Sequence, residues 1–255
     1  MDITARIVAL LEKEQTFCLA TVVDSGDGNV PAGRKAIVLH AGSIEGSLGS
    51  AQLDSKLSTL AQKAIDKNKN GIIEIETGIK IFLNILSPHA QLIICGAGHI
   101  AVPLARFADR LGFGVTVIDD RSDFANASRF PNCEVIAQEF TVALRDMPFG
   151  PSAYAVVITR GHEHDVDCLF EILKKKTRYV GLIGSRRRVR LVLEILGEKG
   201  FSQKRLKEVF TPIGLPIGAE SPEEIALSIV SELICVRRKG VAQARALRAA
   251  VGVEL

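Results

Sequence analysis

Short apolar runs alternate with helix-spaced apolar positions along the last two thirds of the chain. Five runs rich in β-branched and other apolar residues occupy residues 92–95, 115–119, 134–137, 154–159 and 179–183. Between them, apolar residues recur at the spacing of one buried helix face. Strands that alternate with helices favour a parallel, doubly wound sheet, so we predict an α/β, Rossmann-like fold for this part of the chain.

The first 87 residues carry a different pattern. Helical segments at residues 2–13 and 53–65 are interspersed with β-rich runs at 16–23, 35–40, 72–75 and 80–86, which predicts a smaller α+β domain. Pro88 disfavours helix at the residue before it and marks a boundary. We therefore predict domains at residues 1–87 and 88–240. A basic, alanine-rich tail at 241–255 would form a mobile helix or a contact between subunits.

The strongest motif follows the first strand of the second domain. The run G-A-G-H-I-A at residues 96–101 matches the G-x-G-x-x-A pattern of a turn that binds a dinucleotide or pterin nucleotide. Gly96 permits a sharp turn, Gly98 lets a phosphate approach the peptide amides, and Ala101 keeps the following helix close to the sheet. Asp119 lies 21 residues after Gly98, a spacing typical of a carboxylate that accepts a ribose hydroxyl. An α/β turn that binds nothing is the alternative.

Glycine and polar residues follow four of the predicted strands. Because ligands of such sheets bind outside the carboxyl ends of the strands, we expect these residues to converge on one edge. The candidate cofactor-binding residues are Gly96, Gly98, His99, Ile100, Asp119, Asp120, Arg121, Arg160, His162, His164, Asp165, Gly184, Ser185 and Arg186. We assign no catalytic residue and no metal ligand.

Three consecutive arginines, at residues 186–188, follow a predicted N-cap at Ser185. Cations in the first turn of a helix oppose its dipole, at a cost of about 0.3 to 1 kcal/mol each when exposed. The arginines would therefore bind a phosphate or the acids of a partner. The alternative is a solvated face on which Arg190 pairs with Glu194.

His162, His164 and Asp165 allow three interpretations. They could hold a metal ion, although the spacing of the two histidines is weak for zinc. They could simply begin a helix, with Asp165 favouring the following amides. Alternatively the histidines, together with His99, could act as neutral donors that face a ligand at the edge of the sheet.

Composition excludes several classes of function. The 255 residues suit two domains, and a net charge of +3 is too small to indicate nucleic acid or a membrane surface as a partner. No apolar run approaches the roughly 18 residues of a membrane span, and the first residues lack a signal-peptide pattern. The five scattered cysteines include no C-x-x-C pair. We expect a cytoplasmic protein with reduced thiols.

These motifs, in this order, resemble the xanthine dehydrogenase accessory protein family, the XdhC and CoxI group. The resemblance covers nearly all of residues 90–235, with a weaker match that begins at 19–23. It rests on the runs GAGHIA at 96–101, DDR at 119–121, RFP at 129–131, TRGHEHD at 159–165, GLIGSR at 181–186, PIGLPIGA at 212–219 and SPEEIA at 221–226.

The resemblance implies a maturation protein. Members of the family bind the molybdenum cofactor, as molybdopterin or its dinucleotide form. They help it acquire its terminal sulfur with a cysteine desulfurase and pass it to an apo molybdenum hydroxylase of the xanthine dehydrogenase type. The phosphate or pyrophosphate of that cofactor suits an amide-lined turn with nearby arginines. We also expect a homodimer.

This sequence departs from the family in its first domain. Where the family has a G-G-G-C-x-E stretch, residues 49–54 read G-S-A-Q-L-D, so Gln52 stands in the place of the cysteine. An amide is neither a soft metal ligand nor a sulfur carrier, so thiol-dependent sulfur handling is in doubt.

Two other functions fit the same turn. One is an NAD(P)-dependent oxidoreductase, although the chain carries no Tyr-x-x-x-Lys or similar acid–base pair. The other is a regulatory protein that senses a nucleotide. The full set of motifs favours a cofactor-binding chaperone over a catalyst.

Overall fold

The computed structural model describes residues 2–13, 15–26, 30–67, 69–76 and 78–250. It divides into two compact units, Met1–Pro88 and His89–Leu255. Within the described residues, no helix is both long enough and apolar enough to cross a membrane.

The amino-terminal unit is an antiparallel sheet with one helix on each face. Its elements are α1 (Ile3–Glu12), β1 (Phe17–Ser25), β2 (Lys35–Leu39), β3 (Ile44–Gly46), α2 (Ala51–Asp66), β4 (Gly71–Glu76) and β5 (Ile79–Leu86), with strand order β3-β2-β1-β5-β4. Side chains of β1 alternate between the faces, so Cys18 and Ala20 pack with α2 whereas Phe17 packs with α1. The α+β prediction is confirmed for this unit.

The second unit contains a parallel sheet of five strands. Its elements are β6 (Gln91–Cys95), α3 (Ala101–Arg110), β7 (Gly114–Asp119), β8 (Glu134–Ala137), α4 (Phe140–Asp146), β9 (Ala153–Val157), α5 (His162–Leu173), β10 (Tyr179–Leu182), α6 (Arg186–Glu198), α7 (Gln203–Leu206), α8 (Pro222–Lys239) and α9 (Val241–Ala250). The strand order is β10-β9-β6-β7-β8, so the chain reverses its direction across the sheet beside β6. The Rossmann-like prediction is confirmed, and the topological switch point of the fold lies between β6 and β9.

Helices cover both faces of the parallel sheet. Helices α3 and α8 pack on one face with Leu92, Val117 and Tyr154. Helices α4, α5 and α6 pack on the other with Ile93, Ala155 and Leu182. Buried side chains on both faces hold the strands rigidly, which fixes the loops at their carboxyl ends.

Helix α9, which the sequence predicted to be mobile or to contact another subunit, is docked onto its own unit; the contact between subunits stays a prediction. Arg248 is buried and donates to Glu232 Oε2 at 2.6 Å and to the carbonyl of Pro212 at 2.6 Å. Tyr179 donates its hydroxyl to Glu232 Oε1 at 2.5 Å. The local pattern of basic and alanine residues could not reveal this, because the partners of Arg248 lie 16 and 36 residues earlier in the chain. Residues 251–255 of the predicted tail lie outside the described residues.

Candidate functional site

The predicted site residues lie at the carboxyl ends of β6, β7, β9 and β10, in the loops that follow them or in the first turn of the next helix. These four strands are neighbours in the order β10-β9-β6-β7, so the loops share one edge of the sheet. The structure therefore confirms the convergence that the sequence predicted. Several of these residues, however, form hydrogen bonds or packing contacts within the protein and stabilise its loops.

Gly96 is required by the packing of two loops against each other. Its φ is 111°, and a Cβ at this position would lie 2.5 Å from the carbonyl oxygen of Ile158 and 3.1 Å from the Cα of Thr159. Its amide donates to the carbonyl of Ile118 at 2.7 Å. Gly96 thus makes the sharp turn that the sequence predicted, and it also lets the loop after β9 close against the loop after β6.

Asp119 is buried and holds the glycine turn in place. Its Oδ2 accepts from the Ala97 amide at 2.7 Å and from Arg121 Nη2 at 3.0 Å, while Oδ1 accepts from the amide and Nε of Arg121 at 3.1 and 2.8 Å. Burial alone would raise the pKa of the Asp119 carboxyl, but these hydrogen bonds outweigh it and hold the pKa below its usual range. Both carboxylate oxygens are thus occupied by the chain itself, and the ribose role that the spacing suggested stays a prediction that requires Arg121 to move.

We expect Asp119→Asn to loosen the turn. The substitution removes the charge that Ala97 and Arg121 bind, so the free energy of unfolding should fall by about 2 kcal/mol at neutral pH. Because the folded-state pKa is lowered, this stability is present above the unfolded value of about 3.9 and is lost as the pH falls through the folded value. Denaturant titrations at several pH values should therefore show the two proteins converging in acid. A constant difference down to low pH would contradict this role for the charge.

Amides at the start of α3, among them those of Gly98 and His99, are left for a ligand. Among the described residues, the amides of Gly98 and His99 have no hydrogen-bond acceptor. A Cβ on Gly98 would meet no heavy atom of the described chain within 4 Å, and His99 is exposed. These amides form what we call the amide cradle, defined by Gly98 and His99. Its position at a helix amino terminus suits an anion.

Residues next to the amide cradle stabilise the turn by packing and by hydrogen bonds within the protein. Ile100 is half-buried and packs against the apolar cluster under α3, so it contributes to the core. Arg129 donates Nη1 to the carbonyls of Ala97 and Phe124, at 2.8 and 2.7 Å, and ties the loop after β7 to the turn. Arg129 was not predicted as a site residue. Its presence in the RFP run at 129–131 was the available signal.

Arg160 and Asp120 form a bidentate ion pair at the same edge. Arg160 Nη1 lies 2.5 Å from Asp120 Oδ1, and Nη2 lies 2.7 Å from Oδ2. The Arg160 guanidinium holds the pKa of the Asp120 carboxyl well below its usual range, so the carboxylate stays charged. The Arg160 side chain is 40% exposed, which leaves it open to solvent and to ligands.

The histidine run begins α5. His162 is exposed at the first position of the helix, whereas His164 is half-buried with its ring centroid 5.4 Å from that of Phe140. Asp165 is fully buried and accepts from Thr159 Oγ1 and Arg188 Nε, both at 2.6 Å. No group of three or more metal-ligating side chains occurs among the described residues. Asp165 therefore stabilises the loop, and the geometry leaves His162 and His99 as the histidines that can meet a ligand.

The three arginines at residues 186–188 lie in different environments. Ser185 caps α6 by accepting from the Arg188 amide at 3.3 Å, as the sequence predicted, and it lies with Gly184 in the loop between β10 and α6. Arg188 points inward to Asp165 and donates to the carbonyl of Thr159 at 3.0 Å. Arg186 and Arg187 are exposed and form no ion pair within the described part of the chain, and a pair between Arg190 and Glu194 is also absent there. Two cations thus remain for an anionic group.

The edge therefore separates into two sets of predicted residues. One set maintains the fold of the loops: Gly96, Ile100, Asp119, Arg121, His164, Asp165, Gly184 and Ser185. The other set is exposed or partly exposed at this edge: Gly98, His99, Asp120, Arg160, His162 and Arg186. The second set carries amides, imidazoles and guanidinium groups, together with one carboxylate, and it can bind a phosphorylated ligand.

Comparison with known proteins agrees with this architecture. The sequence model described as the XdhC Rossmann domain matches residues 92–233, and the model of the XdhC and CoxI family matches residues 10–76. A solved structure described as a xanthine dehydrogenase from Bacillus halodurans superimposes with a TM-score of 0.68 at 26% identity. The match covers 98% of this chain and 70% of that one.

Two curated proteins are also similar. The Escherichia coli (strain K12) protein described as uncharacterized protein YqeB is 27% identical over 253 residues, which is 93% of this chain and 46% of that protein. A Bacillus subtilis (strain 168) protein described as a probable xanthine dehydrogenase subunit is 34% identical over 160 residues, covering 62% of this chain and 46% of that protein. This chain spans about half the length of the curated relatives that it matches. On the family matches to both of its units, the chain belongs to the XdhC and CoxI family.

Proposed function

We propose that this protein is an accessory protein of a xanthine dehydrogenase system, which binds the molybdenum cofactor and delivers it to the apo hydroxylase. The observation that carries the proposal is the amide cradle at the switch point of the sheet. Two amides without an acceptor in the described chain, and open space beside Gly98, fit a phosphate or pyrophosphate. The family and the xanthine dehydrogenase names of two similar proteins point to the same system.

The residues present fit the anionic end of the cofactor. Gly98 and His99 would hold its phosphate by their amides, while Arg186 and Arg187 lie at the amino terminus of α6 on the same edge and would balance its charge. The bound cofactor supplies the molybdenum-dithiolene chemistry, which belongs to the hydroxylase that receives it. This chain then needs only to bind the cofactor, to keep it from solvent and to release it.

The amino-terminal unit lacks the family's cysteine. Gln52 lies exposed in the first turn of α2, which Ser50 caps by accepting from the Leu53 amide at 3.2 Å. The fold of this turn is therefore intact without the cysteine, and what is lost is the thiol. We propose that this chain carries the cofactor without supplying a sulfur atom itself. The expected cysteine desulfurase partner, homodimer and cytoplasmic location stay predictions.

A nicotinamide dinucleotide or a regulatory nucleotide would present a similar pyrophosphate to the cradle. These alternatives differ from the proposal in the ligand that is bound and in the consequence of its binding. A cofactor carrier should contain molybdenum and a pterin and should activate an apo hydroxylase. A dehydrogenase would instead enhance NADH fluorescence and turn over a substrate, and a sensor would change its assembly without transfer.

Gly98→Ala should empty the cradle without harming the fold. The added methyl group meets no described atom and φ is ordinary there, so the unfolding free energy should change by less than about 0.5 kcal/mol. The same methyl group lies where the phosphate approaches, so cofactor content should fall about tenfold or more. Gly71→Ala, which adds an equally uncrowded methyl group in β4, is the matched control.

The experiment purifies the three proteins from cells that make the cofactor. Molybdenum is measured by mass spectrometry and the pterin by fluorescence after oxidation, and each preparation is mixed with apo hydroxylase. We expect cofactor and transfer activity in the wild type and in Gly71→Ala, and little of either in Gly98→Ala. Wild-type protein that has no molybdenum and no pterin, and that binds none on reconstitution, would overturn the proposal. If Gly98→Ala carried as much cofactor as the wild type, the amide cradle would not be the binding site.

A further inference from the structure

The ion pair between Asp120 and Arg160 crosses the end of β6. Strands β7 and β9 pair with β6 on its two sides, and Cys95 at the end of β6 is opposite Ile118 and Val157. Asp120 follows β7 and Arg160 follows β9, so their side chains meet beyond Cys95, where the glycine turn begins. A ligand that lies along this edge, from the loop after β7 to the loop after β9, therefore encounters both members of the pair.

Stability does not explain this pair. The Arg160 side chain is 40% exposed and that of Asp120 is 15% exposed, and an ion pair with one member open to solvent contributes little to the free energy of folding. Arg160 Nη1 also lies 3.9 Å from Asp119 Oδ1, but Ala97 and Arg121 already engage both oxygens of Asp119, so the pair is not needed to hold the neighbouring turn. The guanidinium instead presents two parallel donors to two oxygens, a geometry that fits a phosphate as well as a carboxylate.

Asp120 is the carboxylate that a ligand can reach. Asp119 is buried and engaged by Ala97 and Arg121, whereas the Asp120 carboxylate is bound at the open edge by the exposed Arg160. If Arg160 moved to a phosphate, the Asp120 oxygens would be released. A ribose offers two adjacent hydroxyl donors that suit such a carboxylate.

We propose that Asp120 and Arg160 form a recognition pair for nucleoside diphosphate groups, and that this ion pair separates when the ligand binds. The phosphate of the ligand takes over Arg160, and the two ribose hydroxyls take over the carboxylate of Asp120. This inference rests on the proposed function and deepens it, because it assigns to the site the dinucleotide form of the pterin cofactor rather than the form that ends in a single phosphate.

The exchange explains why both halves of the ligand are needed. A bare phosphate that takes Arg160 leaves the Asp120 charge without its cation, and a ribose without phosphate cannot displace the arginine. A nucleoside diphosphate satisfies both groups at once. Its affinity should therefore exceed that of pyrophosphate, and that of its 2′,3′-dideoxy analogue, by about tenfold each, which corresponds to one charge-assisted interaction.

The test is titration calorimetry on the full chain with ADP, CDP, GDP, UDP and inorganic pyrophosphate. The tightest diphosphate is then compared with its 2′,3′-dideoxy analogue. In Asp120→Asn, Arg160 loses its bidentate partner and keeps only the contact of 3.9 Å with Asp119 Oδ1, which Arg121 already engages. Pyrophosphate should therefore bind about tenfold more tightly, and the preference for the ribose hydroxyls should shrink to about twofold or threefold. Arg160→Gln should weaken every phosphorylated probe by about tenfold or more.

A matched control lies in the other unit. Glu45 receives a bidentate pair from Arg6, with Nε to Oε2 at 2.6 Å and Nη2 to Oε1 at 2.5 Å. Glu45→Gln breaks the same kind of pair in the amino-terminal unit, among residues that the proposal does not use, and should leave every affinity unchanged. Circular dichroism of each variant confirms that it is folded before affinities are compared.

The outcomes separate this inference from the proposed function. If none of the four diphosphates binds, or if Asp120→Asn leaves both pyrophosphate affinity and the ribose preference unchanged, the recognition pair is refuted even when the protein carries molybdenum cofactor. If the nucleoside diphosphates bind with the predicted dependence on both residues but molybdenum and pterin are absent, the recognition pair is supported and the carrier function is refuted. A loss in Glu45→Gln equal to that in Arg160→Gln would also refute the pair.

Discussion

Gly96→Ala should lower the free energy of unfolding of the second unit by about 3 kcal/mol or more. The new methyl group would lie 2.5 Å from the carbonyl oxygen and 2.9 Å from the carbonyl carbon of Ile158, and backbone atoms cannot move aside as a flexible side chain can. A φ of 111° adds strain for any residue with a Cβ. The loop after β9 and the glycine turn cannot both keep their positions.

Tyrosine fluorescence during denaturant unfolding reports the stability of the second unit. The chain contains no tryptophan, and its two tyrosines, Tyr154 and Tyr179, both lie in the second unit. Gly98→Ala, two residues away, should unfold at the wild-type denaturant concentration. If the two variants behaved alike, the close packing of the loops after β6 and β9 would be wrong.

Arg248→Met should cost about 3 to 5 kcal/mol, because it strands a buried carboxylate. Glu232 is fully buried, and Arg248 supplies the cation that compensates its charge, with 2.6 Å between Nη1 and Oε2. Removal of one partner from a buried ion pair leaves an uncompensated charge that is more costly than the pair itself. The Pro212 carbonyl would also lose its donor, so the loop after residue 211 should become more mobile.

The unfolding midpoint, again followed by tyrosine fluorescence, should fall in Arg248→Met and recover in part when Glu232→Gln is added, because the second change removes the stranded charge. Arg190→Met serves as the control, since Arg190 is exposed on α6 and forms no ion pair within the described residues. A loss below about 1 kcal/mol in Arg248→Met would mean that α9 is not anchored by this pair.

The sequence predicts those parts of the fold that depend on local periodicity. Alternating apolar runs and helical faces identify the parallel sheet, and the capping residue Ser185 marks the start of α6. Strand β3, with three residues, and helix α7, with four, were not predicted because segments this short carry too few positions for a period.

Pairings between distant residues are the part that the sequence does not contain. Asp119 has the spacing of a ribose ligand, and only the structure shows that its oxygens are used by Ala97 and Arg121. Similarly, nothing in the basic tail indicates that Arg248 meets Glu232. Local chemistry predicted that the candidate residues share one edge of the sheet, whereas three-dimensional packing decided which of their groups remain available.

The proposed function depends on the binding of the cofactor by the amides of Gly98 and His99, and the amide resonances of these two residues report that binding. In proton–nitrogen correlation spectra of cofactor-loaded and unloaded protein, both should shift downfield on loading as they gain an anionic acceptor. Gly96 and Ala97 should shift far less, because their amides already donate to Ile118 and Asp119. Unchanged Gly98 and His99 resonances in protein that demonstrably carries the cofactor would contradict the proposed role of the cradle.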